Sequence, residues 1–201
     1  MADDQTKKTK KKYNIYYLSM EEVNRIISAA KNLKERVVLK ILARTGMRRF
    51  ELCQLRIQDV DFEHKSVYIP SGKGDEPRSV PIDDDALQDI KFYIGSRQHG
   101  RLIQSNNKLS DGIDESRINI IVRNAALRAN VRHPDPAKKY VNPHIFRHSF
   151  VRHAIRQGIP QSFVQQLVGH SDIKTTLNMY GRPSFKDVQE EYQKKLANSF
   201  K

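Results

Sequence analysis

A histidine and an arginine lie three positions apart, at His144 and Arg147, within a segment of helical periodicity. Side chains three positions apart on a helix are neighbours, and we expect both to lie off the apolar stripe of Phe146, Phe150 and Ala154. Arginine can bind a phosphate group through two parallel hydrogen bonds, and histidine can transfer a proton near neutral pH. The pair therefore indicates a phosphate-binding site, although an exposed basic helix face would have the same spacing.

Four other residues stand where a polar side chain can reach a ligand. Arg48 follows Gly46, which can end a helix, and Lys73 lies between two glycines of a predicted turn. His170 follows another helix-ending glycine, and Tyr180 lies at the end of a short predicted helix. Taken singly, each has a commoner structural explanation: a solvated arginine, a turn lysine, a capping histidine and a packed tyrosine.

The histidine spacing gives only weak support for a metal site. His144 and His148 are four positions apart, as in a zinc-binding helix, but no glutamate lies between them in the metalloprotease pattern. Cys53 is the only cysteine, so it has neither a disulfide partner nor a second thiolate for a metal. The segment Gly72–Gly74 belongs to a hairpin and does not precede a helix, unlike a phosphate-binding loop. We therefore expect no metal and no cofactor.

The charge balance favours a polyanionic partner. The 201 residues include 36 Lys and Arg against 23 Asp and Glu, a net charge of +13, which favours nucleic acid over a membrane surface. We expect a basic, disordered tail over residues 1–15 and one domain over residues 16–201. Because no apolar run is long enough for a membrane span or a signal peptide, we expect a cytoplasmic protein.

The apolar periodicity predicts a mainly helical domain with a small antiparallel sheet, which is an α+β fold. A glycine-rich turn at 71–75 between alternating segments predicts a β-hairpin that carries Lys73, and residues near Val60 could add a third strand. Asn142, followed by a proline, should begin the helix that carries His144. The apolar stripes predict helices over about 19–30, 37–45, 50–55, 87–94, 118–129, 142–157, 160–168, 172–180 and 185–196.

Five short motifs, in this order along residues 18–182, resemble those of the tyrosine recombinase catalytic domain, the family of phage integrases and Xer-type resolvases. They are Thr45–Leu52, similar to the T-G-x-R-x-x-E-L box; Gly72–Gly74 with Arg78–Ile82, similar to the hairpin with the active-site lysine; His144–His148, similar to the H-x-x-R-H box; Leu167–Asp172, similar to the L-G-H-S box; and Thr175–Tyr180, where the nucleophilic tyrosine belongs. Each motif is weak alone, and their common order carries the resemblance.

The resemblance implies phosphoryl transfer on double-stranded DNA without a metal or ATP. Tyr180 would attack a phosphodiester and form a 3′-phosphotyrosyl link, and a 5′-hydroxyl of a second strand could then reverse the step. Arg48 and Arg147 would stabilise the negative charge on the non-bridging oxygens. The implied activity is that of a site-specific recombinase or integrase, which cuts and rejoins DNA strands.

The resemblance also implies roles for the remaining candidates. Lys73 would protonate the leaving 5′-oxygen, and a crowded cationic pocket would lower its pKa for that task. His144 would accept the tyrosine proton or orient the phosphate, and His170 would hydrogen-bond the phosphate. We expect Glu51 to orient an arginine without touching DNA, although an exposed helix glutamate would fit the sequence equally well.

DNA contacts and assembly are further expectations. We expect Arg78, Lys138 and Lys139 to bind DNA, and we expect a monomer in solution that forms a tetramer on two synapsed duplexes. The apolar stripe over residues 185–196 would dock either on its own domain or on a neighbouring protomer. The family usually carries a core-binding domain ahead of the catalytic one, so we expect a piece of a longer protein, with a minimal enzyme as the alternative.

Three other functions stay open at this point. The chain could be a DNA-binding protein of the same fold without catalysis, although no proposed catalytic position is substituted. It could be a topoisomerase-like enzyme that nicks and closes DNA, because the local chemistry would be identical. A histidine-based metalloenzyme is the third alternative, and loss of activity in a chelator would favour it.

Overall fold

The computed structural model describes residues 16–70, 77–105 and 110–169. Lys73, His170 and Tyr180 lie outside these described residues, as do the predicted tail and the helices predicted from residue 172 onward. The elements within the described ranges are the α-helices α1 (Met20–Ser28), α2 (Leu33–Thr45), α3 (Arg49–Gln54), α4 (Asp84–Ile94), α5 (Glu115–Arg128), α6 (Pro143–Arg156) and α7 (Gln161–Val168), and the strands β1 (Val60–Asp61), β2 (Ser66–Ile69) and β3 (Arg78–Pro81). A single turn of 3-10 helix, Ile57–Asp59, precedes β1.

Helices dominate these elements, and the three strands form one antiparallel sheet in the order β1–β2–β3. This confirms the predicted α+β class, including the hairpin of β2 and β3 and the third strand at Val60. The register pairs Val67 with Val80 and Ile69 with Arg78, so that Val67, Ile69 and Val80 are buried on one face. None of the helices in the described ranges has both the length and the apolar character that crossing a membrane would require.

Helix α2 lies at the centre of the helical layer and packs against α1, α4 and α6. It is capped by Asn32, whose side chain accepts a hydrogen bond from the Glu35 amide, and every apolar residue from Val37 to Leu42 is buried. Lys40 is buried as well, because its ammonium pairs with the buried Asp89 carboxylate of α4 at 2.6 Å. Because α2 is buried on nearly all sides, its neighbours fix the positions of both of its ends.

The C-terminal end of α2 approaches α6 through a glycine. Gly46 adopts a left-handed conformation with φ of +62°, and a Cβ atom there would come within 2.5 Å of the Phe150 ring of α6. Only glycine therefore permits both the backbone turn and the close approach. This approach brings Arg48, two residues later, next to the first half of α6.

Helix α6 begins where the sequence predicts. The Asn142 side chain accepts hydrogen bonds from the amides of His144 and Ile145, and Pro143 occupies the first helical position. Ser149 lies in the middle of α6, where its hydroxyl accepts a hydrogen bond from the Leu18 amide at 2.8 Å. The start of the described chain is thereby attached to the helix that carries two of the candidate residues.

Candidate active site

Arg48 lies in the short connection between α2 and α3. Its amide donates to Glu51 Oε2 at 2.6 Å, and its Nη1 lies 3.8 Å from Glu51 Oε1. The side chain is about one-third exposed. Burial is the main cause that lowers the pKa of Arg48, the positive charge of Arg78 acts in the same direction, and Glu51 opposes both. The side chain thus lies at the domain surface and is partly open to solvent.

Glu51 is a buried carboxylate, only 4% exposed. Besides the Arg48 amide, it accepts hydrogen bonds from Arg78 Nη1 at 2.9 Å and from Arg78 Nη2 at 3.0 Å. The exposed helix glutamate considered from the sequence is therefore wrong, because the turn after α2 directs this side chain inward onto two arginines.

Arg78 begins β3, and its side chain is 7% exposed. Its Nε donates to the Leu167 carbonyl at 2.8 Å, and its two Nη atoms donate to Glu51. The guanidinium therefore faces protein partners, which differs from the sequence-based expectation that Arg78 contacts DNA. Sequence reasoning missed the pairing of Arg78 with Glu51, because the two residues share no local pattern.

Arg147 projects from α6 toward the ends of two other helices. Its Nη1 donates to the Gly46 carbonyl at 2.9 Å, and its Nη2 donates to the Val168 carbonyl at 2.6 Å. Carbonyls at helix C-terminal ends lack partners within their own helix, and Arg147 supplies donors to both. Its guanidinium thereby fixes the ends of α2 and α7 next to each other.

The exposed basic helix face considered for this segment is wrong for Arg147, which is 4% exposed. The expectation that Arg147 lies off the apolar stripe is also wrong. Arg147, Val151 and Ala154 follow the spacing i, i+4 and i+7, which places them on one helix face, and all three are buried. The buried face of α6 that contains Ala154 therefore also contains Arg147.

His144 lies in the first turn of α6 and is exposed to solvent. Burial of its inner side lowers its pKa, and so do the positive charges of Arg147, Arg48 and, less strongly, Arg49. The ring of His144 also meets the ring of His148 edge to face, with 4.3 Å between centroids and 81° between planes. The lowered pKa favours a neutral imidazole that can accept a proton.

His148→Gln is expected to make the fold less sensitive to acid. Burial, followed by neighbouring positive charges of which His144 is the first, lowers the pKa of His148 from 6.5 to about 4. Unfolding between these two pH values takes up a proton at His148, so the free energy of unfolding falls as the pH decreases through that window. Thermal unfolding at pH 7 and pH 5 should show a smaller drop in Tm for the variant than for the wild type. Equal drops would contradict this assignment.

The described candidates converge on one end of the domain. Arg48, His144 and Arg147 meet where the α2–α3 connection, the first turns of α6 and the end of α7 come together. Lys73, His170 and Tyr180 lie outside the described residues. The structure does describe Gly169, the residue before His170. A Cβ atom at Gly169 would lie 2.7 Å from Arg78 Nη1.

Lys138 and Lys139 lie in the exposed loop that precedes α6. The Lys139 ammonium and the Arg123 guanidinium of α5 each lie 5.3 Å from the centre of the Tyr140 ring, and Tyr140 is 39% exposed. This loop ends at Asn142, the residue that caps the helix of His144. A basic surface with an exposed aromatic ring thus adjoins the candidate active site.

Metal ligands do not cluster in the part of the chain that the structure describes. No group of three or more His, Cys, Asp and Glu side chains there is arranged to hold a metal ion. Cys53 is buried, and burial is the main cause that raises the pKa of its thiol to about 11. A thiol of this kind is protonated at neutral pH and is a poor ligand and nucleophile.

Comparisons with known proteins agree with this arrangement. The model of the phage integrase family matches residues 16–187. Tyrosine recombinase XerA of Pyrococcus horikoshii is 29% identical over 180 residues, which cover 88% of this chain and 60% of the relative. Tyrosine recombinase XerD of Staphylococcus epidermidis is 31% identical over 165 residues, which cover 79% of this chain and 53% of the relative.

Solved structures show the same architecture. A crystal structure of XerA recombinase, 29% identical, superposes with a TM-score of 0.73 over 94% of this chain and 66% of that protein. A XerH site-specific recombinase bound to its difH substrate is 23% identical, with a TM-score of 0.70 over 88% of this chain and 53% of that protein, and it shows the fold alone. The chain spans about 60% of the length of its curated XerA relative. The family model covers most of the sequence, and the chain therefore belongs to the phage integrase family.

Proposed function

We propose that the chain is the catalytic domain of a site-specific DNA recombinase that acts in the cytoplasm through a 3′-phosphotyrosyl intermediate, without a metal or ATP. One observation carries the proposal: Arg48, His144 and Arg147 lie together at one surface of the fold. The bond from Arg147 to Gly46 joins residues 101 positions apart. A cluster assembled over such a separation is a property of the whole fold rather than of a basic segment.

The arginines supply what a metal ion supplies in other phosphoryl-transfer enzymes. Arg48 and Arg147 would donate hydrogen bonds to the non-bridging oxygens, where negative charge develops in the transition state. Both residues are placed before DNA arrives: the Arg48 backbone through its amide, which donates to Glu51, and the Arg147 side chain through two carbonyls. Donors fixed in advance need little rearrangement during the reaction, which favours the transition state.

The covalent step is proposed from the sequence motifs. The Tyr180 oxygen forms a bond to phosphorus while the bond from phosphorus to the 5′-oxygen breaks. His144 accepts the tyrosine proton, consistent with its lowered pKa, and Lys73 gives a proton to the departing 5′-oxygen. His170 donates a hydrogen bond to the phosphate. In the reverse reaction a new 5′-hydroxyl attacks the phosphotyrosyl phosphorus and releases Tyr180. This step rejoins the strand and conserves the number of phosphodiester bonds.

Double-stranded DNA is the proposed partner. Several structures of the same fold are DNA complexes, among them XerH with difH and a lambda integrase dimer with a core site. In this chain the proposed phosphate contacts are Lys138 and Lys139, on the basic loop beside Tyr140. We also propose a monomer in solution and a tetramer on two synapsed duplexes, because strand exchange requires four cleaved strands.

Removal of both loop lysines should weaken DNA binding in a salt-dependent manner. A lysine that neutralises one phosphate contributes about 0.9 to the slope of log K against log salt, so Lys138→Ala with Lys139→Ala should reduce that slope by roughly 1.8. Fluorescence anisotropy over a salt series measures the slope. Lys65→Ala is the matched control, because the Lys65 ammonium pairs with Asp84 at 2.9 Å on another part of the surface. An unchanged slope in the double variant would place the DNA elsewhere.

Covalent trapping tests the proposed function. The protein is incubated in EDTA with a pool of labelled, nicked duplexes of varied sequence, in which cleavage releases a short fragment and prevents religation. A labelled band that survives denaturing electrophoresis is the expected result. A protein that binds these duplexes and gives no such band would be a DNA-binding protein of the same fold. Relaxation of supercoiled plasmid without strand exchange would identify a nicking and closing enzyme.

A further inference from the structure

We propose that Arg78 is a positioning residue for the strand-transfer reaction, which holds the α2–α3 connection and the end of α7 in register at the active site. The inference rests on the proposed function. It replaces the sequence-based expectation that Arg78 contacts DNA, and it concerns a residue that makes no contact with the reacting atoms.

Arg78 uses all three nitrogens of its guanidinium to bind protein groups. Nη1 and Nη2 donate to the two oxygens of Glu51 at 2.9 Å and 3.0 Å, and Nε donates to the Leu167 carbonyl at 2.8 Å. The paired side chains are 7% and 1% exposed. A planar fork of this kind fixes orientation as well as distance, and all three guanidinium nitrogens donate to protein groups.

The partners of Arg78 lead directly to catalytic candidates. Glu51 also accepts a hydrogen bond from the Arg48 amide at 2.6 Å, so a single carboxylate joins Arg78 to Arg48. On the other side, Leu167 is followed by Val168, whose carbonyl binds Arg147 at 2.6 Å. Two arginines from different elements thus hold successive carbonyls at the end of α7.

Gly169 provides independent evidence that Arg78 packs closely against the end of α7. It ends α7 in a left-handed conformation with φ of +69°. A Cβ atom there would lie 2.7 Å from Arg78 Nη1 and 3.0 Å from Arg78 Cζ. The guanidinium of Arg78 therefore covers the backbone of Gly169, the residue immediately before His170. The Leu167 carbonyl, two residues before Gly169, accepts a hydrogen bond from the same guanidinium.

The test compares Arg78→Lys with the wild type in three measurements: DNA affinity, the rate of covalent product formation at saturating DNA, and amide hydrogen exchange. Lysine keeps the charge opposite Glu51 but cannot reproduce the fork, so it separates geometry from charge. Because small displacements of catalytic groups are costly, we expect the rate to fall about 100-fold with DNA affinity unchanged. Exchange should accelerate at the Arg48 amide and over residues 164–169.

Arg128→Lys is the matched control. Arg128 also binds one carboxylate and one carbonyl, since it donates to Glu35 and to Ala29 at 2.5 Å and 2.8 Å. Glu35 lies in the first turn of α2, about 16 Å along the helix from Gly46. This variant should cleave DNA at the wild-type rate.

Arg78→Met combined with Glu51→Gln removes both charges together, and it should fold and cleave as slowly as Arg78→Lys.

Three results would overturn the inference. A wild-type cleavage rate in folded Arg78→Lys would show that charge alone suffices, and weaker DNA binding with an unchanged rate at saturation would make Arg78 a DNA contact. If the wild type itself forms no covalent product, the proposed function fails. Hydrogen exchange alone then tests whether Arg78 positions the α2–α3 connection and the end of α7. Unchanged exchange at the Arg48 amide and at the end of α7 would then refute the coupling, and faster exchange at both would support it.

Discussion

Tyr180→Phe is expected to abolish the covalent protein–DNA product and to leave DNA binding unchanged. The substitution removes one oxygen atom, which is the atom proposed to bond to phosphorus, and keeps the aromatic ring. No other step can replace a missing nucleophile, so the loss should be complete rather than partial. The measurement is denaturing electrophoresis of wild type and variant with the nicked duplexes in EDTA, beside anisotropy for binding.

Tyr192→Phe is the control for the tyrosine assignment. Tyr192 is a second tyrosine in the C-terminal part of the sequence, and its variant should give the covalent band at the wild-type level. A band that persists in Tyr180→Phe and disappears in Tyr192→Phe would transfer the nucleophile to the later position. A band in both variants would exclude both tyrosines as the nucleophile.

Arg147→Met is expected to have the second largest effect, and to act on both stability and cleavage. The Gly46 and Val168 carbonyls lose their donors, and each buried polar group left without a partner costs about 1–3 kcal/mol of the free energy of unfolding. Loss of a donor to the developing oxyanion should slow cleavage by a further factor of about 100 to 1,000, the order found for such donors. Thermal unfolding and single-turnover cleavage, measured below the lowest Tm, separate the two effects.

Arg156→Met provides the comparison on the same helix. Arg156 is exposed and lies over the Tyr17 ring, 5.9 Å from its centre, so its removal should change neither Tm nor cleavage substantially. Arg147→Lys keeps the charge and one donor group, and it should fall between the wild type and Arg147→Met in both measurements. A folded Arg147→Met protein that cleaves at the wild-type rate would remove Arg147 from the proposed mechanism.

The parts of the fold that the sequence predicts are those with local causes. Gly46 and Gly169 end helices in left-handed conformations, and Asn142 caps α6. The signals for these boundaries lie within a few residues of the boundary itself, because glycine and asparagine act through their own backbone or nearest amides. The hairpin is predicted for the same reason, since alternation and a glycine-rich turn are local features.

The inner contacts of the site have no such local signal. Arg78 meets Glu51 across 27 positions and Leu167 across 89 positions, and neither separation follows from a helix or strand period. Arg147 does carry a signal, because its spacing to Val151 and Ala154 is that of a buried helix face. Sequence reasoning nevertheless favours exposure for an arginine there, since burial of a charge is costly without partners, and the partners come from other elements.

The bond from Arg147 to the Gly46 carbonyl has a consequence for the protein during its synthesis. Arg48 emerges from the ribosome 99 residues before Arg147 (147 − 48 = 99), and the partner at Val168 follows later still. A nascent or truncated chain that ends before Val168 therefore carries Arg48 without the complete arrangement proposed to act on DNA. The proposed strand cleavage therefore requires the completed fold, and an unfinished copy should bind DNA through its charge without cutting it.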